Sequence, residues 1–255
     1  LVHPVLIQCM TAVSHCNRVS ITGQMYSFTR QKQSCFVSLI KSVSGIRGTI
    51  GGKAGENLTP LDILSFVTAY GQYLKKEISR PRVVVGRDGR ISGAVVKNLT
   101  ISTLQSLGVD VIDLGYSTTP SVEMYVKSSG ATGGIIITAS HNPGEWNALK
   151  FLNHHGEFIS QEAGEEIKTK AEQGVLDVDF AKANQLGSIT HSDKAIAQHI
   201  DAILHHPLIN VDVIKSAGLK AVLDAINSTG SLSIPLLLEK LGVEVISIND
   251  DMSGI

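Results

Sequence analysis

Cysteine is scarce in this sequence, three residues in 255, and Cys9, Cys16 and Cys35 all fall near the start. Three thiols cannot build a disulfide framework, so nothing in the composition asks for an oxidising compartment. No apolar run approaches the roughly 18 residues that a membrane span needs. Neither sign of charge dominates, with 22 Lys and Arg against 23 Asp and Glu, and no basic stripe runs along the chain. That balance lacks the electrostatic footprint of a nucleic-acid binder. Acidic residues are missing altogether from residues 1 to 38, which hold Arg18, Arg30 and Lys32. What is present is 43% hydrophobic residues, enough for a buried core and too many for a disordered chain. The expectation is a cytoplasmic α/β protein with neither nucleic-acid nor membrane partners and with an oligomeric state the composition does not fix. Its length allows one large domain, or one and a fraction, at about 150 residues per domain.

The acid-free leader has the Ser-rich, Arg-bearing composition of a transit peptide, yet neither helical nor strand periodicity is sustained across it. It reads as an N-terminal extension, residues 1–37, unrelated to the rest. Cys9 and Cys16 with His3 and His15 match no zinc spacing.

From Thr59 the pattern sharpens. Thr59-Pro60-Leu61-Asp62 combines a capping hydroxyl, a proline at the first helical position and an acid three residues after the cap. Leu61, Leu64, Val67, Tyr70 and Leu74 then recur at helical spacing, which predicts a helix running toward Ser79-Arg80-Pro81. Arg82–Val85 reads as a strand ending in the glycine turn Gly86-Arg87-Asp88-Gly89-Arg90. A helix with Val96, Leu99, Thr103 and Leu107 on one face follows, and then a strand from Val109 to Leu114. Strand, turn, helix, strand implies a mixed, largely parallel sheet sandwiched by helices. The grammar returns at Lys220–Asp224 and Ser228-Thr229-Gly230, and Leu107-Gly108-Val109 is matched by Leu241-Gly242-Val243, 134 residues on. A repeat of that length points to two related α/β domains rather than a solenoid. We expect a complete first domain over 38–190, finished by a strand at Gly156–Ile159, and a truncated second one over 191–255.

The most informative segment is Gly133-Gly134-Ile135-Ile136-Ile137-Thr138-Ala139-Ser140-His141-Asn142-Pro143. Three consecutive isoleucines suit a strand buried on both faces. Ligands of open α/β sheets gather beyond the carboxyl ends of strands, which is where Ser140 falls. A serine there can act as a nucleophile or carry a phosphoryl group, with His141 and Lys150 as candidates for proton transfer. Spacing alone favours this no more than a well-made turn in which Asn142 bonds its own backbone. The segment is not a hydrolase elbow, since it lacks the flanking glycines. Gly48–Ala54 is not a Walker loop, and Gly86–Gly93 does not have dinucleotide spacing. Ser44–Thr49 and Gly86–Arg90 read as loops whose arginines, Arg47, Arg87 and Arg90, suit bidentate phosphate recognition. The pairs His154-His155 and His205-His206 have no ligand spacing and read as solvated or half-buried.

Ser44-Gly45-Ile46-Arg47-Gly48, Val85–Arg90, Thr138–Pro143 and Asn147-Ala148-Leu149-Lys150 stand in an order and spacing that resemble the α-D-phosphohexomutase family, over Val37 to Ile255. The resemblance implies an enzyme of four domains around a cleft, of which this chain would be the front half and inactive alone. It implies that Ser140 is a phosphoserine that passes its phosphoryl group between the 1- and 6-oxygens of a hexose phosphate through a bisphosphorylated sugar. Lys150 would be general acid/base, with His141 and Arg47 beside it, and Mg2+ would bind the Ser140 phosphate. Phosphoglucosamine mutase is the activity expected first, with phosphomannomutase/phosphoglucomutase next. The family's Asp-Gly-Asp metal loop and its sugar loop are absent, and Asp250-Asp251 is not that metal loop. Ala148 stands where many members have glycine. Rival readings are a non-catalytic sugar-phosphate-binding module and a serine hydrolase.

Overall fold

The computed structural model describes residues 37–255, so the leader with its transit-peptide composition and its cysteine–histidine group lies outside the described residues. In chain order the elements are β1 (Ile40–Ser42), β2 (Gly45–Thr49), α1 (Pro60–Leu74), β3 (Arg82–Arg87), α2 (Gly93–Ser106), β4 (Asp110–Tyr116), α3 (Thr119–Ser129) and β5 (Gly133–Ile137). There follow β6 (Trp146–Leu152), α4 (Gln161–Gln173), β7 (Ile189–His191), α5 (Ala195–Leu204), α6 (Val211–Ser216), β8 (Lys220–Asp224), α7 (Gly230–Lys240) and β9 (Glu244–Ile248). Among the described residues no helix is long and apolar enough to cross a membrane.

Seven strands form one mixed sheet in the order β1-β2-β6-β5-β3-β4-β7. β3 lies parallel to both β4 and β5, and β4 parallel to β7, while β1, β2 and β6 pair antiparallel. Helices cover both faces. Val83, Val85, Ile135 and Ile137 share one core with α1, α2 and α4. Val84 and Ile136 share the other with Val122 and Val126 of α3 and Ala195 of α5. Because neighbouring strand residues face opposite ways, the three isoleucines of β5 can be buried only if both layers exist.

The Thr59 cap forms as a box: the Asp62 carboxylate accepts from the Thr59 backbone N–H at 3.0 Å. The buried face of α1 keeps Val67, Tyr70 and Leu74 of the stripe read from the sequence and adds Ile63 and Phe66, while Leu61 is exposed. The helix packs against α2 and α4 at once, so its apolar arc is broader than one heptad stripe. Other expectations also change. Ser44–Thr49 is not a loop but mostly strand β2, and Gly156–Ile159 is not a strand: only Phe158 bridges, to Leu152. The strand on that side is β6, which carries Lys150. The helix α3 and the edge strand β7 have no counterpart in the sequence reading, the latter because its three residues are all exposed and carry no apolar pattern. The internal match does fall at equivalent places. Gly108 and Gly242 both adopt left-handed backbone, at φ 77° and 70°, each two residues before its strand, β4 or β9. Both strands then pair parallel with the strand that opens their unit, Asp110 opposite Arg82 and Glu244 opposite Lys220.

The double glycine before the isoleucines records close packing. A Cβ on Gly133 would lie 2.2 Å from the Tyr70 hydroxyl, and one on Gly134 2.7 Å from Val126. Tyr70 is fully buried, stacks on Phe151 with ring centroids 4.6 Å apart, and donates to the carbonyls of Leu152 (2.7 Å) and Gly134 (3.2 Å). Removing that donor leaves buried acceptors short of a partner. Tyr70→Phe is therefore expected to cost about 1–3 kcal/mol in urea unfolding, and an unchanged midpoint would contradict the hydrogen-bonding role.

Candidate functional site

β3 and β5 are parallel and in register, Arg87 opposite Ile137, so the two strands end together. The turns that follow them, Asp88-Gly89-Arg90 and Thr138-Ala139-Ser140, meet at that edge. β6 returns antiparallel beside β5, with Lys150 opposite Ile136. Its side chain rises along the sheet, and the Lys150 Nζ donates to Ser140 Oγ at 2.9 Å. Arg47 pairs with Ala148, two residues from Lys150 on the same face, and is exposed. Ser140 and His141 are both exposed at the rim. Beside them a cavity of about 270 Å³ is lined by Ser42, Ser44, Arg47, Ala148 and Lys150. A somewhat larger one, about 310 Å³, lies at the other end of β5 against Tyr73, Thr132 and His154, away from this chemistry.

Ser140 has φ 53°, a left-handed conformation that costs a non-glycine residue about 1–2 kcal/mol. Its own N–H donates to the Thr138 hydroxyl at 3.0 Å. The larger restraint is Arg90. Its guanidinium donates to the carbonyls of Ser140 (2.9 Å), Asn142 (2.6 Å), Pro143 (2.6 Å) and Trp146 (2.9 Å). Its Nε lies 3.3 Å from the Asp88 carboxylate. At about 1.5–3 kcal/mol for each hydrogen bond to a charged group, this set outweighs the strain at Ser140.

The expectation that Arg90 recognises phosphate is thereby corrected. Its Nη groups donate to four carbonyls of the fold, its Nε is paired with Asp88, and its side chain is only 10% exposed. Arg87 differs: its guanidinium lies 4.0 Å from the centroid of the Tyr116 ring and makes one hydrogen bond, to the Asp88 carbonyl. Nor does the side-chain oxygen of Asn142 bond the backbone; its N–H donates to the Ala139 carbonyl at 3.1 Å, while its buried Oδ1 has no partner. His154, His155, His205 and His206 are exposed, as their sequence context implied.

Burial pushes the Lys150 amine below the ordinary lysine range. The carboxylates of Glu123 and Asp88 oppose that shift and Arg47 adds to it. Burial pushes Glu123, on α3, upward, against the pull of Lys150. Glu123 was not singled out by sequence reasoning, since α3 itself was not seen, and Asp88 entered only as part of the Gly86–Arg90 turn. His141 makes no hydrogen bond or ion pair among the described residues, and no carboxylate orients it, so the Ser-His-Asp logic of a hydrolase is not assembled here. Among the described residues no three His, Cys, Asp or Glu side chains gather to hold a metal ion. Of the expected magnesium site this chain supplies only the Ser140 oxygen. The donor set does not fit a dedicated Mg2+ cage of hard oxygens.

This arrangement has relatives. Residues 39–176 match the family model described as phosphoglucomutase/phosphomannomutase, alpha/beta/alpha domain I. A phosphoglucomutase/phosphomannomutase of Thermococcus kodakarensis is 40% identical over 212 residues, 81% of this chain and 45% of its own length. A phosphoglucosamine mutase of Aliarcobacter butzleri is 35% identical, over 81% of this chain and 47% of its own. Among solved structures, one from Thermus thermophilus superimposes with a TM-score of 0.71 at 25% identity, over 85% of this chain and 47% of that one. A phosphoglucomutase/phosphomannomutase family protein from Burkholderia thailandensis gives 0.66 at 24% identity, over 86% and 45%, a likeness of fold. The chain spans about half the length of the curated relatives it matches. Motifs, sheet topology and family model agree, and the chain belongs to the phosphoglucomutase/phosphomannomutase family of α-D-phosphohexomutases.

Proposed function

We propose that the protein to which this chain belongs interconverts hexose 6-phosphate and hexose 1-phosphate, with Ser140 carrying the phosphoryl group. The observation that carries this reading is the 2.9 Å contact between the Lys150 amine and Ser140 Oγ, at a strand end where the serine backbone is held left-handed. In the forward half-reaction the Ser140 Oγ–P bond breaks while a bond forms from phosphorus to the sugar oxygen. Lys150 takes the proton of that sugar hydroxyl. After the bisphosphorylated sugar turns over, the other phosphate returns to Oγ and Lys150 gives its proton to the departing sugar oxygen. A lowered amine pKa suits both duties, because general acid/base groups work best when their pKa lies near the operating pH. Arg47 adds positive charge for the transferring oxygens, and His141 stands exposed beside the serine.

Glucosamine phosphate is the substrate to test first, and mannose and glucose phosphates belong in the same assay, since the relatives carry both kinds of name. The non-catalytic module remains the rival. Mass spectrometry of the full-length protein is expected to find phosphate on Ser140, and Ser140→Ala to abolish turnover. No phosphate, together with activity surviving in Ser140→Ala, would end the enzyme reading. Lys150→Ala is expected to cut turnover by about 10²–10⁴ with the fold intact, and a loss under about tenfold would contradict its role in proton transfer.

The charges around Lys150 give a signed pH prediction. Arg47 lowers the amine's pKa, so Arg47→Gln should raise it; Glu123 raises it, so Glu123→Gln should lower it. The pH midpoint for modification of Lys150 by an amine-directed reagent, read by peptide mass, should start below the ordinary lysine value of about 10.4 and move in those two opposite directions. A midpoint indifferent to both substitutions would refute the electrostatic account.

A further inference from the structure

Arg90 is spent on the chain itself, and what it holds is the loop that carries the reacting oxygen. Its four carbonyl acceptors, Ser140, Asn142, Pro143 and Trp146, span the loop from the end of the isoleucine strand to the first residue of β6. The Pro143 carbonyl also accepts the Trp146 N–H at 3.0 Å, and the Nη groups of one planar guanidinium fork gather all four carbonyls. Asp88 fixes the fork: one oxygen lies against the Arg90 Nε, the other accepts the Arg90 backbone N–H at 3.0 Å, and the Asp88 N–H donates to the carbonyl of Ile137 at 3.1 Å. The turn is held from the second unit too, where the Ser228 hydroxyl accepts from the Gly89 N–H at 3.1 Å.

We propose that Arg90 is a positioning residue for phosphoryl transfer: by gathering the carbonyls on either side of Ser140 it holds that residue left-handed and its hydroxyl on Lys150. This inference rests on the phosphoserine reading given above. Released from the fork, Ser140 relaxes toward the right-handed or extended backbone that a serine prefers, and its oxygen leaves the line between Lys150 and the sugar. Hexose phosphate binding does not pass through Arg90, whose side chain is only 10% exposed and whose Nη groups are taken up by four carbonyls.

The test uses the full-length enzyme with Arg90→Lys and Arg90→Ala. Lysine keeps the charge but offers three donors from one nitrogen, which cannot bracket four carbonyls. Both variants are expected to lose about 10²-fold in kcat, the scale of a misplacement of about 1 Å, while KM for the hexose phosphate stays within about threefold. Phosphorylation of the dephosphorylated enzyme by a bisphosphorylated hexose should slow by the same factor. A kcat within about threefold of wild type in Arg90→Lys overturns the proposal. So does a rise in KM with kcat kept, which would make Arg90 a substrate contact, and so does failure of both variants to fold, which would make it a folding determinant only. If the unaltered enzyme carries no phosphate on Ser140 and turns over no hexose phosphate, the underlying reading fails first, and that result is seen before any variant is made.

Discussion

One guanidinium, surrounded by peptide carbonyls, decides the shape of the functional edge of this protein. Ser140 would not sit left-handed by preference, and the loop from Ser140 to Trp146 has few partners in regular structure. The fork of Arg90 supplies them, and its own anchor, Asp88, follows directly on the strand that runs parallel beside the serine strand. The strain at one residue, about 1–2 kcal/mol, is small beside several charge-assisted hydrogen bonds in a half-dry setting. Strain stored at a reacting group and offset by its surroundings is a common mark of functional loops.

The sheet makes this possible. β3 and β5 end at one level because they are parallel and in register, and that register is locked by residues buried on both faces. A slip of one residue would turn Ile136 into the core of α1, α2 and α4 and leave Ile135 and Ile137 facing α3. The same slip would carry Ser140 away from Lys150. Packing in the core and geometry at the rim are therefore one constraint, seen at two ends of a short strand.

The amine beside the serine shows a balance of opposed terms. Burial favours neutral Lys150, two carboxylates favour its charged form, and Arg47 sides with burial. Opposed terms of this kind are the means by which a site sets the pKa of a group within it. The turn before α7 and the residues after β9 take part in the same edge, with Ser228 against Gly89 and Gly254 packed so closely on the Gly89 carbonyl that a Cβ there would collide with it.

Much of this was legible in the residues. The capping box of α1, the β-branched strands, the glycine-closed helix and the repeat 134 residues apart follow from local stereochemistry and need no knowledge of partners. The isoleucine run fixed a doubly covered strand, and its polar end marked the rim. Local pattern was not enough elsewhere. Gly45–Thr49 looked like a loop because glycine weakens a strand signal, and only pairing with β6 makes it one. Arg90 looked like a phosphate ligand because a sequence shows that an arginine has five donors and not where they go. Glu123 was invisible because α3 buries only Val122 and Val126 among its apolar residues, too short a stripe to announce a helix. By itself, then, the sequence determined where the main helices start, which strand is buried on both sides, and that a serine ends it. The tertiary structure alone decided which charges reach that serine, because hydrogen bonds and fields act across distances in space that residue spacing does not record.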